Sequence, residues 1–232
     1  MILVLTCEHA FPDIPEEYEH LFSATQEILS THEAYDPGAF DLFKTLQPIA
    51  DHSKMQPVGR LLVESNRSLR NRKLFSRFSS VLDKKEKEYI LDFYYHPYRQ
   101  NITEQIRKYI DSGKTVLHLS VHSFTPVLNG VKRNCDLGLL YDPERGAEKH
   151  FCKELKARIQ VNYPDLNVRF NYPYLGKADG FTTALRKTFR KNYLGIELEV
   201  NQAWVKNNIM EAGIKSMILL SLKELLKKVK PR

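Results

Sequence analysis

Acidic and histidine side chains stand at the ends of strand-like apolar segments, and their types are those of a hydrolytic centre. His9 follows the first apolar run, His122 follows a second, and Glu197 and Glu199 lie two residues apart in a third. Open α/β sheets bind their ligands beyond the carboxyl ends of the strands. Two histidines and a carboxylate gathered there are typical ligands of a catalytic zinc ion, and a further carboxylate is a typical general base.

The spacing of these residues leaves other interpretations open. A single histidine at a strand end is more often a hydrogen-bonded structural group, and the sequence has neither an H-E-x-x-H helix nor a C-x-x-C pair. Cys7 beside His9 is an alternative nucleophile and base, although no third orienting group is near them. Ser123 lacks the G-x-S-x-G context, and the glycines form no phosphate-binding pattern. The residues therefore indicate a metal site, with structural histidines and a thiol nucleophile as alternatives.

Composition is that of an ordinary globular protein. The chain has 232 residues, 42% of them hydrophobic, with 10 Gly and 11 Pro, which excludes collagen-like, mucin-like, disordered and coiled-coil classes. The odd number of cysteines, 3, predicts reduced thiols rather than a disulfide framework. No apolar run reaches the ~18 residues that cross a bilayer, and no secretory signal is visible, so we expect a soluble, cytoplasmic protein.

The net charge of +7 comes from two basic segments, residues 60–77 and 215–232. The second has helical periodicity, and cations near the C-terminal end of a helix complement its dipole. Few aromatic residues alternate with the cations of either segment, as a single-stranded nucleic-acid surface would need. The sequence therefore favours solvated faces, with binding of nucleic acid or another anionic partner as an alternative.

Strand-like and helical periods alternate along the chain, which predicts an α/β fold. We predict strands at residues 2–6, 59–64, 115–121, 137–141, 167–170 and 195–200. We predict helices at residues 37–45, 84–94, 97–112, 145–162, 182–190 and 210–229. Residues 51–57 and 65–72 show no apolar period and are predicted loops. No repeat or flexible linker interrupts the pattern, so residues 1–232 are predicted to form a single domain with a mixed, mostly parallel sheet flanked by helices.

Several blocks in a fixed order resemble the N-formylglutamate amidohydrolases, a family related to the zinc carboxypeptidases and aspartoacylases. The blocks are Thr6-Cys7-Glu8-His9-Ala10, Asp36-Pro37-Gly38-Ala39, Glu64-Ser65-Asn66-Arg67, His96-Pro97-Tyr98-Arg99, Val121-His122-Ser123-Phe124-Thr125-Pro126, Arg133 with Asp136-Leu137-Gly138-Leu139, Asn171-Tyr172-Pro173-Tyr174 with Gly176, Asp179 and Gly180, and Glu197-Leu198-Glu199-Val200-Asn201-Gln202. The resemblance covers most of the chain and implies a zinc-carboxypeptidase-like sheet.

The resemblance also implies a set of metal ligands. His9 and His122 match the two zinc-binding histidines of the family. The carboxypeptidase pattern places a Glu ligand three residues after the first histidine, but Pro12 occupies that position here. Asp36, from its own block, is the expected third ligand, and Glu8 is the alternative. Glu8 is the weaker candidate because adjacent residues of a strand point to opposite faces.

Further roles follow from the same resemblance. Glu199 matches the general base, with Glu197 as the alternative on the same face. Asn66 and Arg67 match an Asn-Arg pair that holds a substrate carboxylate, which a planar guanidinium contacts through two hydrogen bonds. Arg133 is expected to hold a second carboxylate or the developing oxyanion.

The implied activity is zinc-dependent hydrolysis of an N-formyl or N-acyl amide of an acidic amino acid, as in N-formylglutamate. The expected partner is a small acidic N-acyl amino acid, with no membrane and no nucleic acid; the sequence does not predict an oligomeric state. Two alternatives remain open: an aspartoacylase-like or carboxypeptidase-like amidase acting on another substrate, and a non-enzymatic protein that binds anions or nucleic acid.

Overall fold

The computed structural model describes residues 1–229; Lys230 and Arg232 of the C-terminal basic segment lie outside the described residues. The strands are β1 (Ile2–Cys7), β2 (His52–Met55), β3 (Val116–Phe124), β4 (Val127–Leu128), β5 (Val131–Lys132), β6 (Leu137–Leu140), β7 (Val168–Phe170), β8 (Tyr193–Asn201), β9 (Val205–Lys206) and β10 (Ile209–Met210). The α-helices are α1 (Ala39–Leu46), α2 (Lys84–Ile90), α3 (His96–Asp111), α4 (Gly146–Asn162), α5 (Phe181–Thr188) and α6 (Ala212–Val229). Short 3₁₀ segments lie at Glu16–Phe22, Gln26–Ser30, Gln47–Ile49, Ser79–Val81 and Gln202–Trp204, and a π-helical turn at Leu91–Tyr95 joins α2 to α3.

Six strands form the main sheet, in the order β2-β1-β3-β8-β6-β7. Neighbouring strands run parallel except β6 and β8, which are antiparallel. The predicted α/β class and the mixed, mostly parallel sheet are confirmed. Because β1, β3 and β8 are parallel neighbours, their carboxyl ends lie side by side, although they are far apart in the chain.

Side chains of alternate residues along the strands pack against different helices. Leu3 and Leu5 of β1 belong to a core cluster that includes residues of α1, α4 and α6. Val4 of β1 and Val116 of β3 belong to a second cluster with residues of α3 and α5. Successive side chains of a strand point to opposite faces, so the sheet has a helical layer on each face.

The face of the sheet covered by α3 and α5 becomes polar toward the carboxyl ends of the strands. In β3, the residues that alternate with Leu117, Leu119 and Val121 are His118, Ser120 and His122, and all three are buried. Buried polar groups require hydrogen-bond partners. The sequence of β3 therefore places a buried polar layer directly beneath the strand ends.

Two sequence predictions for residues 50–65 are wrong. Residues 59–64 form turns rather than a strand, and Leu62 and Val63 instead pack with Tyr18 and Ile90 in a cluster outside the sheet. Part of the predicted loop at 51–57 is β2, which pairs with β1 at the sheet edge. Its side chains are mostly half-buried, so β2 carries no apolar alternation that a sequence pattern could reveal. The other predicted elements are present with shifted ends.

Helix α6 packs one side on the sheet. Ile214, Ile218 and Leu222, spaced by four residues, are buried, whereas Lys223 and Lys227 are exposed. Such a stripe is typical of a surface helix. None of the helices within residues 1–229 combines the length and the apolar character needed to cross a bilayer.

Candidate metal centre

His9, Asp36 and His122 converge at the carboxyl ends of β1 and β3. Asp36 Oδ2 lies 3.2 Å from His9 Nδ1 and 2.9 Å from His122 Nδ1. One ligand atom from each of the three buried residues lies within 4.8 Å of the others, and the two imidazole centroids are 4.8 Å apart. Two imidazole nitrogens and one carboxylate oxygen at this separation can hold a divalent transition metal.

The turn that carries Asp36 is fastened to both strands. The Asp36 amide donates to the His9 carbonyl at 3.0 Å, and the Ser123 hydroxyl donates to the Pro37 carbonyl at 2.7 Å. Gly38, with φ of +79°, provides the left-handed conformation that leads into α1. The Asp-Pro-Gly sequence thereby brings a carboxylate from outside the sheet to the two histidines.

Glu64 holds the second nitrogen of His9. Its Oε1 lies 2.6 Å from His9 Nε2 and also accepts the Asn66 amide at 2.9 Å, while Oε2 accepts from Arg60 Nε at 2.8 Å. An ionised carboxylate only accepts hydrogen bonds, so His9 Nε2 carries a proton. Nδ1 faces the Asp36 carboxylate in the same way, and a metal bound there would take the place of its proton.

A second buried carboxylate does the same for His122. His122 Nε2 lies 2.8 Å from Ser120 Oγ, and the Ser120 hydroxyl donates to Glu8 Oε2. Tyr98 donates to the other oxygen of Glu8 at 3.1 Å. Glu8 Oε2 is 3.3 Å from His122 Nε2, on the side of the ring away from Asp36. The structure therefore brings Asp36 to the two Nδ1 atoms and places Glu8 behind His122.

The carboxylates of this cluster favour a positive charge between them. Burial raises the pKa of Asp36, but the combined effect of His9 and His122 is larger and opposite, so the pKa lies well below its usual range. Burial also raises the pKa of Glu64, but Arg60 and His9 outweigh this effect and lower the pKa well below its usual value. Burial lowers the pKa of His122, but the carboxylates of Asp36 and Glu8 raise it well above its usual value. A site that holds imidazolium between ionised carboxylates is also suited to a metal cation.

Glu199 is a carboxyl without a partner beside this cluster. It lies opposite His122 in the pairing of β3 with β8, and its buried Oε2 accepts no hydrogen bond from any described residue. Burial raises the pKa of Glu199 to about 7; the charges of Asp36 and Glu197 act in the same direction, and His122 opposes them. On the neighbouring strand, a Cβ on Gly138 would lie 3.1 Å from Glu199 Cβ and 2.1 Å from the Tyr172 carbonyl oxygen, so only glycine fits there.

A cavity of about 280 Å³ opens over the cluster. Its walls are His9, Asp36, Arg60, Asn66, Arg67, His122, Ser123, Tyr174, Leu175, Ala178, Asp179, Glu197 and Glu199. Arg67 Nη1 donates to the backbone carbonyls of Asn66 and Asp179, each at 3.0 Å, and the other donors of its guanidinium bond to no described residue. The Asn66 Oδ1 accepts the Phe181 amide at 2.7 Å, which fixes the start of α5.

The remaining predicted residues lie at different distances from the cavity. Glu197 lines it and accepts from the Thr182 hydroxyl at 2.7 Å. Arg133 is outside the lining; its guanidinium lies 5.2 Å from the ring centroid of Tyr174, which does line the cavity. Cys7 is fully buried in the apolar core, and burial raises its pKa well above the usual value, which does not favour a thiolate nucleophile. The cysteines are free, as the sequence predicts.

Sequence reasoning missed several residues of the site. Arg60 and Glu64 pair at a spacing of four, in a segment predicted as a strand, and Arg60 Nη1 also lies 3.4 Å from Asp36 Oδ1. Their contacts to His9 and Asp36 span long loops that no local pattern encodes. Ser120 was discoverable, because the alternation of polar and apolar residues in β3 places it on the same face as His122.

Comparisons with known proteins identify the family and the fold of the chain. A family model described as N-formylglutamate amidohydrolase matches residues 1–205. No curated protein matches the sequence significantly.

A gene product of Agrobacterium tumefaciens has a similar structure, with a TM-score of 0.83 and 24% identity over 99% of this chain and 92% of that chain. The N-formylglutamate amidohydrolase of Ralstonia eutropha JMP134 has a TM-score of 0.69 and 14% identity, over 98% of this chain and 94% of that one. At these identities the two likenesses concern the fold. A metallo-carboxypeptidase from Burkholderia cenocepacia reaches a TM-score of only 0.40 at 10% identity, over 99% of this chain and 58% of that chain, and carries no argument.

Proposed function

Because the chain belongs to the N-formylglutamate amidohydrolase family, whose members hydrolyse amide bonds, we propose that it removes an N-formyl group from an acidic amino acid with the help of a zinc ion. One observation carries the proposal: a buried His-Asp-His cluster and an unpartnered glutamate share a single cavity. Metal ligands, a general base and a place for substrate are the parts that hydrolysis of an amide requires.

We assign the metal to His9 Nδ1, Asp36 and His122 Nδ1. This donor set, of two imidazoles and one carboxylate, suits zinc in hydrolases. Bound there, zinc supplies Lewis-acid chemistry that polarises an amide carbonyl and makes water more acidic. With a metal bound, Glu64 and Glu8 would keep the Nε2 protons of the two rings in place, so both rings would present their Nδ1 lone pairs to it.

Glu199 is the proton carrier in this proposal. Its free Oε2 accepts a proton from the attacking water, whose oxygen forms a bond to the formyl carbon. The same carboxyl then delivers the proton to the amide nitrogen as the carbon–nitrogen bond breaks, which releases formic acid and the amine; near neutral pH these ionise to formate and an ammonium group. A pKa of about 7 suits both steps, because the group gains and loses a proton readily near neutral pH.

Arg67 gives the cavity its selectivity for an acidic substrate. Its side chain lines the cavity and has guanidinium donors that are not committed to any described residue. A carboxylate accepts two parallel hydrogen bonds from such a group. The cavity volume of about 280 Å³ lies just below the usual range for ligand sites, which fits a ligand as small as an amino acid with a formyl group. Arg133 acts indirectly in this proposal, through its contact with the ring of Tyr174, which lines the cavity.

Metal analysis and a formate-release assay test the proposal together. We expect about one equivalent of zinc per chain, formate release from N-formylglutamate, loss of release with a chelator and recovery when zinc is added. Purified protein that binds no zinc, or that loses no activity with the chelator, would contradict it.

Arg67→Gln is expected to raise KM for N-formylglutamate by about tenfold to hundredfold and to change kcat by less than about threefold. The variant loses a charged hydrogen bond to the substrate carboxylate, a contact typically worth about 1.5–3 kcal/mol. Steady-state kinetics measure the effect. Arg70→Gln is the matched control, because Arg70 is an exposed arginine of the same loop that lines no described cavity. Equal KM values for wild type and Arg67→Gln would exclude this role for Arg67.

A further inference from the structure

A second, larger cavity adjoins the first. It has a volume of about 670 Å³ and shares Arg60 and Arg67 with the catalytic cavity. The lining residues are His32, Glu33, Arg60, Leu61, Glu64, Arg67, Arg72, Lys73, Phe75, Ser76, Arg77, Ser80 and Leu128, and we call this cavity the basic groove. The two side chains that separate it from the catalytic cavity are both arginines, so an anion could extend from one space into the other.

The basic groove has an excess of positive charge that its own acids do not neutralise. Its carboxylates are Glu33 and Glu64, and both are already paired, Glu33 with Arg77 at 2.8 Å and Glu64 with Arg60. Arg72 and Lys73 form no ion pair with any residue between 1 and 229. Two adjacent unpaired cations in a concave surface attract anionic ligands more strongly than isolated surface charges do.

The loop that carries these two cations is held firmly. The Asp179 carboxylate accepts from Asn71 Nδ2 at 2.6 Å, and Asn71 Oδ1 accepts the Lys73 amide at 2.8 Å. The next residue, Leu74, is buried, and its carbonyl accepts the Glu64 amide at 2.8 Å. Arg72 and Lys73 therefore extend from a backbone fixed on both sides, which lowers the entropic cost of binding a ligand there.

We propose that the basic groove binds an anionic extension of the substrate, so that the preferred substrate is a short acidic peptide whose N-terminal acidic residue is formylated. This inference rests on the proposed function. One carboxyl of the first residue faces Arg67, and the other is amide-linked to a second acidic residue, whose carboxylates reach Arg72 and Lys73. A free N-formyl amino acid would occupy the catalytic cavity and leave the groove, which has more than twice its volume, without a ligand.

The chemistry of the groove favours carboxylates over nucleic acid. Phe75 and the imidazole of His32 are the two aromatic rings among its lining residues. Single-stranded nucleic acid is held by several aromatic rings that stack on successive bases, together with cations. The groove offers cations and continuity with a site for an acidic amino acid, which together fit a peptide of acidic residues.

Binding of triglutamate to the full chain tests the groove independently of turnover. We expect calorimetry at low salt to show tighter binding of triglutamate than of triglutamine. The double variant R72Q/K73Q should weaken triglutamate binding by about fivefold, since each lost pair is partly exposed. The control K149Q/K153Q removes the same charge from exposed positions on α4 that line neither cavity, and it should bind like the wild type.

Turnover supplies the second readout. The ratio of kcat/KM for N-formylglutamyl-glutamate to that for N-formylglutamate should exceed about 5 in the wild type and fall toward 1 in R72Q/K73Q. An unchanged ratio, or equal triglutamate affinity in wild type and R72Q/K73Q, would overturn the groove proposal. If a ten-nucleotide single strand bound more tightly than triglutamate, and R72Q/K73Q weakened that binding, the groove would be a nucleic-acid site and the proposal would be wrong. A third result would separate the two proposals. If the protein released no formate but bound triglutamate more tightly than R72Q/K73Q does, the proposed function would be wrong, and binding of an acidic ligand in the groove would still be supported.

Discussion

Glu199→Gln is expected to lower kcat for N-formylglutamate by about 10²–10⁴-fold while zinc remains bound at one equivalent per chain. Gln keeps the size of the side chain but cannot accept and return a proton. The metal ligands are other residues, so the variant should keep the cluster of His9, Asp36 and His122 intact. Formate release and metal analysis on the same preparation measure both effects.

Glu197→Gln is the matched control for this variant. Glu197 lies on the same strand face and lines the same cavity, but one of its oxygens already accepts from Thr182. A carboxylate that is held in this way is a weaker proton carrier, so the loss in kcat should stay below about tenfold. A larger loss for Glu197→Gln than for Glu199→Gln would transfer the role of base to Glu197.

The stability of the metal-free protein gives an independent test of the Glu199 pKa. Its folded-state pKa of about 7 exceeds the ordinary value of 4.5, chiefly because of burial. The stability that comes from the protonated group is fully present below pH 4.5 and is lost as the pH rises through 7. Gln does not ionise, so the free energy of unfolding of the variant should exceed that of the wild type by about 3 kcal/mol at pH 8 and by less than about 1 kcal/mol at pH 5. Denaturant unfolding at the two pH values measures the difference; an equal difference at both would contradict the raised pKa.

The positions of most strands, and the faces to which their residues point, could be predicted from the sequence, although the strand ends are shifted. In β3, polar His118, Ser120 and His122 alternate with apolar residues, which places His122 on a defined face. The same rule places Glu197 and Glu199 together on β8. What the alternation cannot provide is the neighbour of each strand. β3 lies between β1 and β8, so the pairing of His122 with Glu199 depends on a topology that joins distant segments.

The part of the site outside the sheet could not be predicted from local sequence patterns. Glu64 reaches His9 across 55 positions of the chain, from a segment whose apolar residues pack in an irregular layer. These apolar residues led to the erroneous strand prediction at 59–64, because a short apolar run fits a strand and a buried turn equally well. Only the family resemblance pointed to Asp36, and periodicity alone does not explain why its turn lies across the ends of β1 and β3.

The question that the sequence left open, Asp36 or Glu8 as third ligand, has a sharp experimental answer. Asp36→Ala is expected to weaken zinc binding by more than about 100-fold and to abolish turnover, because the carboxylate closest to both Nδ1 atoms is removed. Glu8→Gln should weaken zinc binding by about 10–100-fold, the range typical of groups that orient a ligand from behind. Zinc titration against a competing chelator measures both affinities.

Asp36→Asn separates loss of a ligand from loss of the fold. Removing a buried carboxylate that pairs with His9, His122 and Arg60 typically costs about 3–5 kcal/mol, which could unfold Asp36→Ala. Asn retains the shape and an acceptor oxygen, so Asp36→Asn should fold, as circular dichroism can verify, and still bind zinc poorly. Zinc at 100 times its dissociation constant should stabilise the wild type by about 2.7 kcal/mol, because the ion binds only the folded chain. At the same zinc concentration, the expected gains are below about 0.4 kcal/mol for Asp36→Asn and about 0.4–1.4 kcal/mol for Glu8→Gln. The reverse order, with Glu8→Gln unresponsive and Asp36→Asn fully stabilised, would make Glu8 the ligand and require His122 to turn its Nε2 toward the metal.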